Sequence, residues 1–598
     1  MQDTIRQAVI EVLATLSISE VNFVVEHPAD LAHGDYSCNV AMAAAKALGK
    51  NPRELAEAIV LKLSEMAEVT ESSKVRGASD RDEGGVRIST VTKDMSAVTK
   101  KFAESVASVE VAGPGFVNFY LTRNFFTGEI VRATQLGENW GKNELLTGKK
   151  VLVEYTDPNP FKELHIGHLF TNSVGESISR LIEFSGADTK RLCYQGDVGM
   201  HVANAIWGMQ KLGMTAAGSF TARDLGTAYA TGATAYKEDV SAQEDIKVLN
   251  KKIYERTDEA VNELYDAGRA VSLEYFESVY KVVGTKFDEY FFESEAGPKG
   301  KELVESNPDV FTESNGARIF DGEAHGLHTR VFVNSEGLPT YEAKELALAK
   351  MKEDRLGVYD LSIISTSNEI TEYFKVLKKA MSFVYPELEK KTEHIGHGTV
   401  RLTSGKMSSR TGDIIPAIDS IDEIAQSVSE RMKASTPELA EDLGLTRDIA
   451  IGALKYATLK GNILQDTIFD KEQALSFEGA SGPYLQYTHA RIHSVLRKAA
   501  EAGIVSASIN APEKSYEIEK ILYRFEEVVQ EAVIERAPHK VATFLIELAG
   551  LYNSFYAQEK IADPTDEFAP YKAALSEAVA QTLKNGLYLL GIKAPEQM

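Results

Sequence analysis

The tetrapeptide His-Ile-Gly-His occurs twice in this 598-residue chain, as His165–His168 within KELHIGHLF and as His394–His397 within TEHIGHGTV. Two imidazoles three positions apart can face one ligand as hydrogen-bond donors, and the glycine between them lets a flat group approach the backbone closely. The element beneath each copy decides whether that chemistry is available. The first copy follows an apolar strand, Val151–Tyr155, and a proline-rich turn, and it opens the periodic run IGHLFTNSVGESISRLIEFSG. It therefore sits at a helix N-terminus, where free N–H groups and a partial positive charge suit phosphate. The second copy leads into alternating Val400 and Leu402 and a Thr403-Ser404-Gly405 turn. That places it on a strand, its histidines reading as ordinary surface residues. A third stretch, GKMSSRTGD, carries Lys406 and Arg410 on a serine-rich loop between Gly405 and Gly412. Cations on a glycine-flanked loop are what a reaction that expels pyrophosphate needs. In this order and about 240 residues apart, the helix-borne histidines and the basic loop point together to nucleotidyl transfer.

The elements that must position these residues read as an α/β multidomain protein. Residues 1–125 form a small N-terminal α/β domain, with helical periodicity on both sides of Gly49–Pro52 and β-rich stretches VRIST, VEVAGPG and FVNFYLT. The polar TESSKVRGASDRDEGG before VRIST reads as a loop. Residues 126–400 begin as strand, turn, helix and strand (TKRLCYQ), the start of a Rossmann-type doubly wound catalytic domain with an acidic helical insertion at about 200–300. Residues 401–444 carry the basic loop and a connection, and 445–598 are helix-patterned, a C-terminal all-α helical bundle.

Composition narrows the class. The 43% hydrophobic and 26% charged residues mark a globular protein, and the length exceeds what one core can organise. A net charge of −23 disfavours binding to DNA or membranes through a bulk positive field, without excluding a nucleic acid held by a local basic surface. No apolar run approaches the roughly 18 residues of a membrane span. The N-terminus reads as an amphipathic helix, not a signal peptide. Cys38 and Cys193 offer neither a disulfide framework nor a zinc spacing, so a cytoplasmic protein without zinc is expected.

Taken together, these stretches resemble the class I aminoacyl-tRNA synthetases, whose paired signatures are a His-x-Gly-His at the first helix and a Lys-Met-Ser-Lys-Ser loop. Over nearly its whole length the chain is similar to the arginyl-tRNA synthetases. DPNPFKELHIGHL, YQGDVG, TYEAKELALAK, GPYLQYTHARI and the ending LKNGLYLLGIKAP carry the likeness. HGDYSCNVAMAAAK and VAGPGFVNFYL resemble that family's N-terminal domain, which contacts the tRNA elbow, and the helical end resembles its anticodon-binding domain. The resemblance implies that arginine and ATP form arginyl-adenylate and that arginine then passes to the 3′ end of tRNA(Arg). Magnesium is expected to enter with ATP, and a monomer is expected. The catalytic residues so implied are His165, His168, Lys162 and Lys406. ATP is expected to meet Ile166, Gly167, His168, Lys406, Met407, Ser408, Ser409 and Arg410.

Arginine's guanidinium is planar and always charged, so it asks for fixed carboxylates and a flat neighbour. For it the resemblance selects Tyr341 and Glu345, one helical turn apart, with Glu345 standing where relatives carry Asp. A second acid is expected in FDEYFFESE, at Glu293, with Glu295 as the alternative. Asn159 matches the residue that holds the α-amino and carboxylate end of the substrate. Asp157, where relatives often have Ser, Glu369, near a family Gln, and His165 complete the arginine set. Val198 replaces an aromatic in YQGDVG, and Ser409 replaces the second lysine of the loop. Lys162, three residues before the first histidine, is expected to supply the missing cation. From the C-terminal helices Tyr487 and Arg491 are expected to stack on anticodon bases, with His539 a further candidate and Tyr552 reading as core. A synthetase or nucleotidyltransferase for another substrate and a catalytically silent tRNA-binding paralogue are the competing readings. Pyrophosphate exchange with each amino acid, expected to need arginine and tRNA, separates them.

Overall fold

Apolar residues three and four apart bury one face of α1 (Gln2–Thr15) through Ile5, Ala8, Val9, Val12 and Leu13. After it come β1 (Val25–Glu26), β2 (Tyr36–Cys38), α2 (Val40–Leu48) and α3 (Pro52–Val75). Gly49 ends α2 in the left-handed region, φ 63°, where a side chain would be strained. Then follow α4 (Ala97–Ser105), β3 (Val106–Ala112), β4 (Phe116–Leu121) and α5 (Arg123–Leu136). The strands form an antiparallel sheet in the order β1-β2-β4-β3, and the core beneath it includes Tyr36, Phe102, Phe119 and Phe126, joined by Tyr523. Arg123 donates to the Pro512 carbonyl at 2.8 Å and lies over the Tyr571 ring at 4.9 Å.

The computed structural model describes residues 1–18, 21–75, 96–402, 416–507 and 510–598. Lys406, Met407, Ser408, Ser409 and Arg410 of the expected signature loop lie outside the described residues, as does VRIST. Contacts group the chain into two compact units: Met1–Trp140 with Val495–Arg524 and Gly550–Gln581, and Gly141–Ser494 with Phe525–Ala549 and Thr582–Met598. This partition by contact runs across the expected 445–598 stretch.

The second unit is built on β5 (Lys150–Glu154), α6 (Ile166–Phe184), β6 (Asp188–Gln195), α7 (Met200–Lys211), α8 (Ala222–Glu238), α9 (Val240–Glu255), α10 (Glu259–Val283), β7 (Glu289–Phe292) and α11 (Glu293–Glu305). A small antiparallel sheet of β8 (Thr312–Ser314), β9 (Ala317–Phe320) and β10 (Arg330–Val333) precedes α12 (Tyr341–Leu356), β11 (Leu361–Ser367), α13 (Thr371–Val384), α14 (Pro386–Lys391) and β12 (Thr392–His397). The main sheet is parallel, in the order β12-β11-β5-β6-β7. Its central strand is covered on both faces, which is why Val151, Leu152 and Val153 run without polar alternation. Gly175 lets α6 approach the sheet: a Cβ there would fall 2.1 Å from the Tyr155 ring. The far end of α6 is pinned where Ser177 donates to the Leu589 carbonyl at 2.8 Å. Helices α7 to α10 enclose an apolar core of their own that includes Val198, Val202, Ile206 and Leu225, so Val198 is packing in place of the aromatic of relatives.

Candidate active site

The main sheet changes direction at β5, with β6 and β7 on one side and β11 and β12 on the other. Open α/β sheets bind ligands outside the carboxyl ends of the strands at such a switch point. The chain leaves β5 there through a strained turn, in which Thr156, Asp157 and Phe161 have φ values of 78°, 41° and 67°. Residues other than glycine hold such angles only where their surroundings over-determine them. Asn172 donates to Thr156 Oγ1 at 3.1 Å, the Tyr194 N–H to Asp157 Oδ1 at 2.8 Å, and the Phe161 N–H to Ser272 Oγ at 2.9 Å. The turn so fixed carries Asn159, exposed, and Lys162, half-buried.

His165 is the N-cap of α6. Its Nδ1 accepts the Gly167 N–H at 3.0 Å, and His168 Nδ1 accepts the His165 N–H at 3.1 Å, with the two rings 4.0 Å apart. A neutral imidazole whose Nδ1 accepts carries its proton on Nε2. Each histidine therefore has an Nε2–H to offer at the head of the helix, where the Gly167 and His168 N–H groups are already engaged by His165. Burial, then Lys162, hold His165 down to about 4, and burial, His165 and Lys162 hold His168 well below its ordinary value. Both are neutral donors at pH 7. The full positive charge beside them is Lys162, whose Nζ lies 4.1 Å from the centre of the Tyr229 ring.

Glu345 is 2% exposed, and its Oε1 has no hydrogen-bond partner among the described residues. Tyr341, one turn earlier, hydrogen-bonds this carboxylate and packs 5.0 Å from Tyr373, ring centre to ring centre. Two neighbours escaped the sequence analysis. Glu154 closes β5 and is 1% exposed, and Lys352, two turns beyond Glu345, pairs with it at 2.8 Å. Burial first and Glu154 second push Glu345 up to about 8, against the pull of Lys352. Burial and Glu154 also push Asp157 well above the carboxylate range. Three carboxylates facing one ammonium leave the pocket short of positive charge.

The two acids of FDEYFFESE point apart. Glu293 turns inward and pairs with Lys344 at 2.6 Å. A Cβ on Gly196 would lie 2.2 Å from Asn159 Oδ1 and 3.6 Å from Glu293 Oε1, so only a glycine leaves these two groups side by side. Glu295 turns outward to Arg355. Buried Asp197 holds this corner, accepting from the Ser294 N–H and hydroxyl at 2.8 Å each, Tyr265 at 3.1 Å and Arg269 at 2.9 Å. Glu369 is exposed on the turn after β11, its N–H donating to Ser367 Oγ at 3.3 Å.

Elsewhere in this unit, Arg491 donates to the Tyr487 hydroxyl at 3.0 Å and lies 4.7 Å from that ring, a stacked pair on the helix formed by residues 482–501. His539 lines a cavity of about 320 Å³ with Glu393, His394, Asn462 and Arg536. In the first unit, Tyr552 is fully buried, its hydroxyl 3.3 Å from Ser576, as core packing requires. The second His-Ile-Gly-His stands on β12, but its histidines are not the surface residues expected. His397 is buried, and His394 stacks on Phe374 at 3.8 Å and shares a hydrogen bond with Thr366 at 2.7 Å. Aromatic side chains of α13 and of α6 cover this edge strand from its two faces, leaving His394 half-buried and His397 buried.

Residues 131–471 match the family described as tRNA synthetases class I (R), catalytic domain. Residues 485–598 match the DALR anticodon binding domain, and residues 1–78 the arginyl tRNA synthetase N terminal domain. An arginine–tRNA ligase of Clostridium acetobutylicum is 31% identical over 508 residues, which cover 84% of this chain and 90% of that one. Another, of Shewanella pealeana, is 28% identical over 609 residues and covers 97% and 96%. The solved arginyl-tRNA synthetase of Thermus thermophilus shares the fold, with a TM-score of 0.72 over 100% of both chains at 24% identity.

Proposed function

The chain belongs to the class I arginyl-tRNA synthetases, and on that premise we propose how its pocket divides the work of an arginine–tRNA ligase. In the first step an arginine carboxylate oxygen attacks the α-phosphorus of ATP and pyrophosphate leaves. In the second a terminal ribose hydroxyl of tRNA attacks the activated carbonyl and AMP leaves.

One observation carries the assignment: Glu345 holds a buried carboxylate oxygen with no donor among the described residues, while the acids around it are already engaged. Glu154 has Lys352, Glu293 has Lys344, and Asp157 has the Tyr194 N–H. A guanidinium brings the missing charge and the missing N–H donors at once, and Tyr341 with Tyr373 gives it a flat wall. Asn159, with Glu293 beside it across Gly196, takes the α-amino end together with Asp157 and Glu369. His165 reaches from the helix N-terminus toward the substrate carboxylate. Ile166, Gly167 and His168 receive the phosphates at the positive end of the helix, with the His168 Nε2–H as a donor and Lys162 as the neighbouring cation. Lys406, Met407, Ser408, Ser409 and Arg410 are assigned to the same phosphates by their likeness to the family's signature. Among the described residues no group of three or more His, Cys, Asp or Glu side chains is placed to hold a metal ion. Magnesium would travel on the phosphates of ATP as part of that substrate.

Residues 1–125 serve tRNA contact, 126–400 catalysis, 401–444 the loop and its connection, and 445–598 the anticodon, where Tyr487 and Arg491 offer a flat cationic surface. Among the described residues no helix is long and apolar enough to cross a membrane. The protein works in the cytoplasm as a monomer; its free, buried Cys38 and Cys193 suit a reducing compartment, and sedimentation tests the oligomeric state. Replacing Glu345 by Gln tests the pocket. Loss of a charged partner from a desolvated cation is worth roughly 2–5 kcal/mol, so the arginine KM should rise about 30-fold or more while the ATP KM holds. An unchanged arginine KM would place Glu345 outside the pocket.

A further inference from the structure

Lys352 lies on the same face of α12 as Glu345, and the Lys352 and Glu154 side chains are at most 2% exposed. Taking two charges out of water is expensive, and a buried pair of this kind contributes little to stability beside an apolar pair of the same volume. Its position is informative: the pair forms the floor on which Glu345 rests, the carboxylate whose Oε1 has no partner among the described residues. Behind it lies a cavity of about 10 Å³, room for one water, lined by Glu345, Lys352, Tyr359, Ser362 and Thr392. The Tyr359 hydroxyl and Ser362 Oγ have no partner among the described residues, so a water there would find donors and acceptors waiting.

Resting on the pocket assignment above, we infer that Lys352 is a positioning residue for arginine recognition: its ammonium holds Glu154 as a fixed counter-ion and leaves Glu345 as a carboxyl group that gives up a proton to solvent when the guanidinium arrives. The proton balance follows from the groups that face Glu345. These are Glu154 from β5, Asp157 from the turn after it, Tyr194 from β6, Glu293 from the start of α11, Tyr341 and Lys352 from α12, and Tyr373 from α13. Lys378 also lines the cavity, but it is engaged by the Thr392 carbonyl at 2.6 Å and Glu389 at 3.3 Å. Burial lowers Lys352, yet Glu154 and Glu345 more than offset this and leave it above its ordinary value, so it stays charged. Glu345, pushed up to about 8, is therefore largely protonated at neutral pH before arginine binds, beside an Asp157 that burial and Glu154 also push up. The guanidinium cannot donate the balancing proton because it does not titrate in this range.

The sign is then set. A proton and arginine compete for Glu345, so recognition weakens as pH falls below about 8. At pH 7 a group titrating at about 8 is about 90% protonated, so binding should release close to one proton. Two measurements on the full chain with saturating tRNA test this. First, the arginine KM in the charging reaction should fall about tenfold per pH unit between pH 6 and 7.5 and level off above 8, while the ATP KM does not follow. Second, titration of arginine in two buffers of different ionisation enthalpy should report the released proton. Lys352→Met should move the break in the KM profile up by a unit or more and raise the arginine KM about tenfold or more at pH 7.5. Lys352→Arg, which keeps the charge, should stay within about threefold of the parent.

A Lys352→Met profile that breaks where the parent's does, or arginine binding without proton release in the parent, overturns the role of Lys352. The parent titration decides even if Lys352→Met fails to fold. If instead Glu345→Gln leaves the arginine KM and its pH dependence untouched, the pocket assignment itself is at fault.

Discussion

Lys162 is the substitution with the largest consequence for the phosphate side. The two histidines at the head of α6 are neutral at pH 7, with His165 held to about 4, so they contribute dipoles, not charge. The helix end adds about half an elementary charge. Lys162 is the full cation on that turn, held over the Tyr229 ring at 4.1 Å and lowering both histidines by its own field. At an effective dielectric of about 20, a unit charge about 6 Å from a developing negative charge is worth roughly 3 kcal/mol, or about 100-fold in rate. Lys162→Ala should therefore lower adenylation, read as tRNA-dependent pyrophosphate exchange with arginine, by about 10²-fold. Its effect on stability should stay small, since a half-exposed lysine loses only a cation–π contact of about 0.5–1 kcal/mol. Tyr229→Leu removes that contact and leaves the charge, and should cost only severalfold. Adding Ser409→Lys to Lys162→Ala should restore part of the loss by placing a lysine on the loop. Near-normal exchange by Lys162→Ala would refute the assignment, and a double variant no better than the single one would refute the idea that Lys162 stands in for the loop lysine.

Three further outcomes are expected. Tyr552→Ala empties a fully buried site and should destabilise by about 3–5 kcal/mol; a tRNA-binding defect at unchanged denaturation midpoint would contradict its placement in the core. His394→Ala loses the stack on Phe374 and the Thr366 hydrogen bond, at about 2 kcal/mol together, so thermal stability should fall while the arginine and ATP KM values hold. A wild-type melting curve would show that this packing is dispensable. Arg491→Ala should raise the tRNA KM about tenfold by removing one plane of the Tyr487–Arg491 pair, without changing pyrophosphate exchange at saturating tRNA; an unchanged KM would place the anticodon elsewhere.

What could be read along the chain was local. The first His-Ile-Gly-His was legible because strand, proline-rich turn, cap and helical periodicity lie within one short stretch, and the structure keeps all four. The second copy was legible as a strand, but not as buried, because burial there depends on Phe374 and Phe170 from helices elsewhere in the chain. The same limit hid the floor of the pocket. Glu154 looks like the polar end of an apolar strand and Lys352 like one of many lysines on an amphipathic helix. Their pairing exists because β5 lies at the centre of the sheet and α12 packs near it. Glu293 and Glu295 could not be separated by spacing, since the first turn of α11 sends one inward to Lys344 and the other outward to Arg355.

The strained turn between β5 and α6 explains why two such different halves of a reaction can be kept in register. Each left-handed residue there costs on the order of 1–3 kcal/mol, and the fold offsets that with the hydrogen bonds from Asn172, the Tyr194 N–H and Ser272 and with the burial of Phe161. A relaxed turn would need none of these, but it would also leave its residues free to drift. In the proposed pocket Glu154, at the end of β5, marks the end assigned to the guanidinium, and His165, at the head of α6, the end assigned to the phosphates. The residues between them, Asp157, Asn159 and Lys162, are carried on backbone held by these hydrogen bonds. Catalysis by positioning tolerates displacements of only about an ångström. The local strain of that turn is thus the physical counterpart of the fixed spacing between the carboxylate proposed to recognise arginine and the helix end proposed to receive ATP.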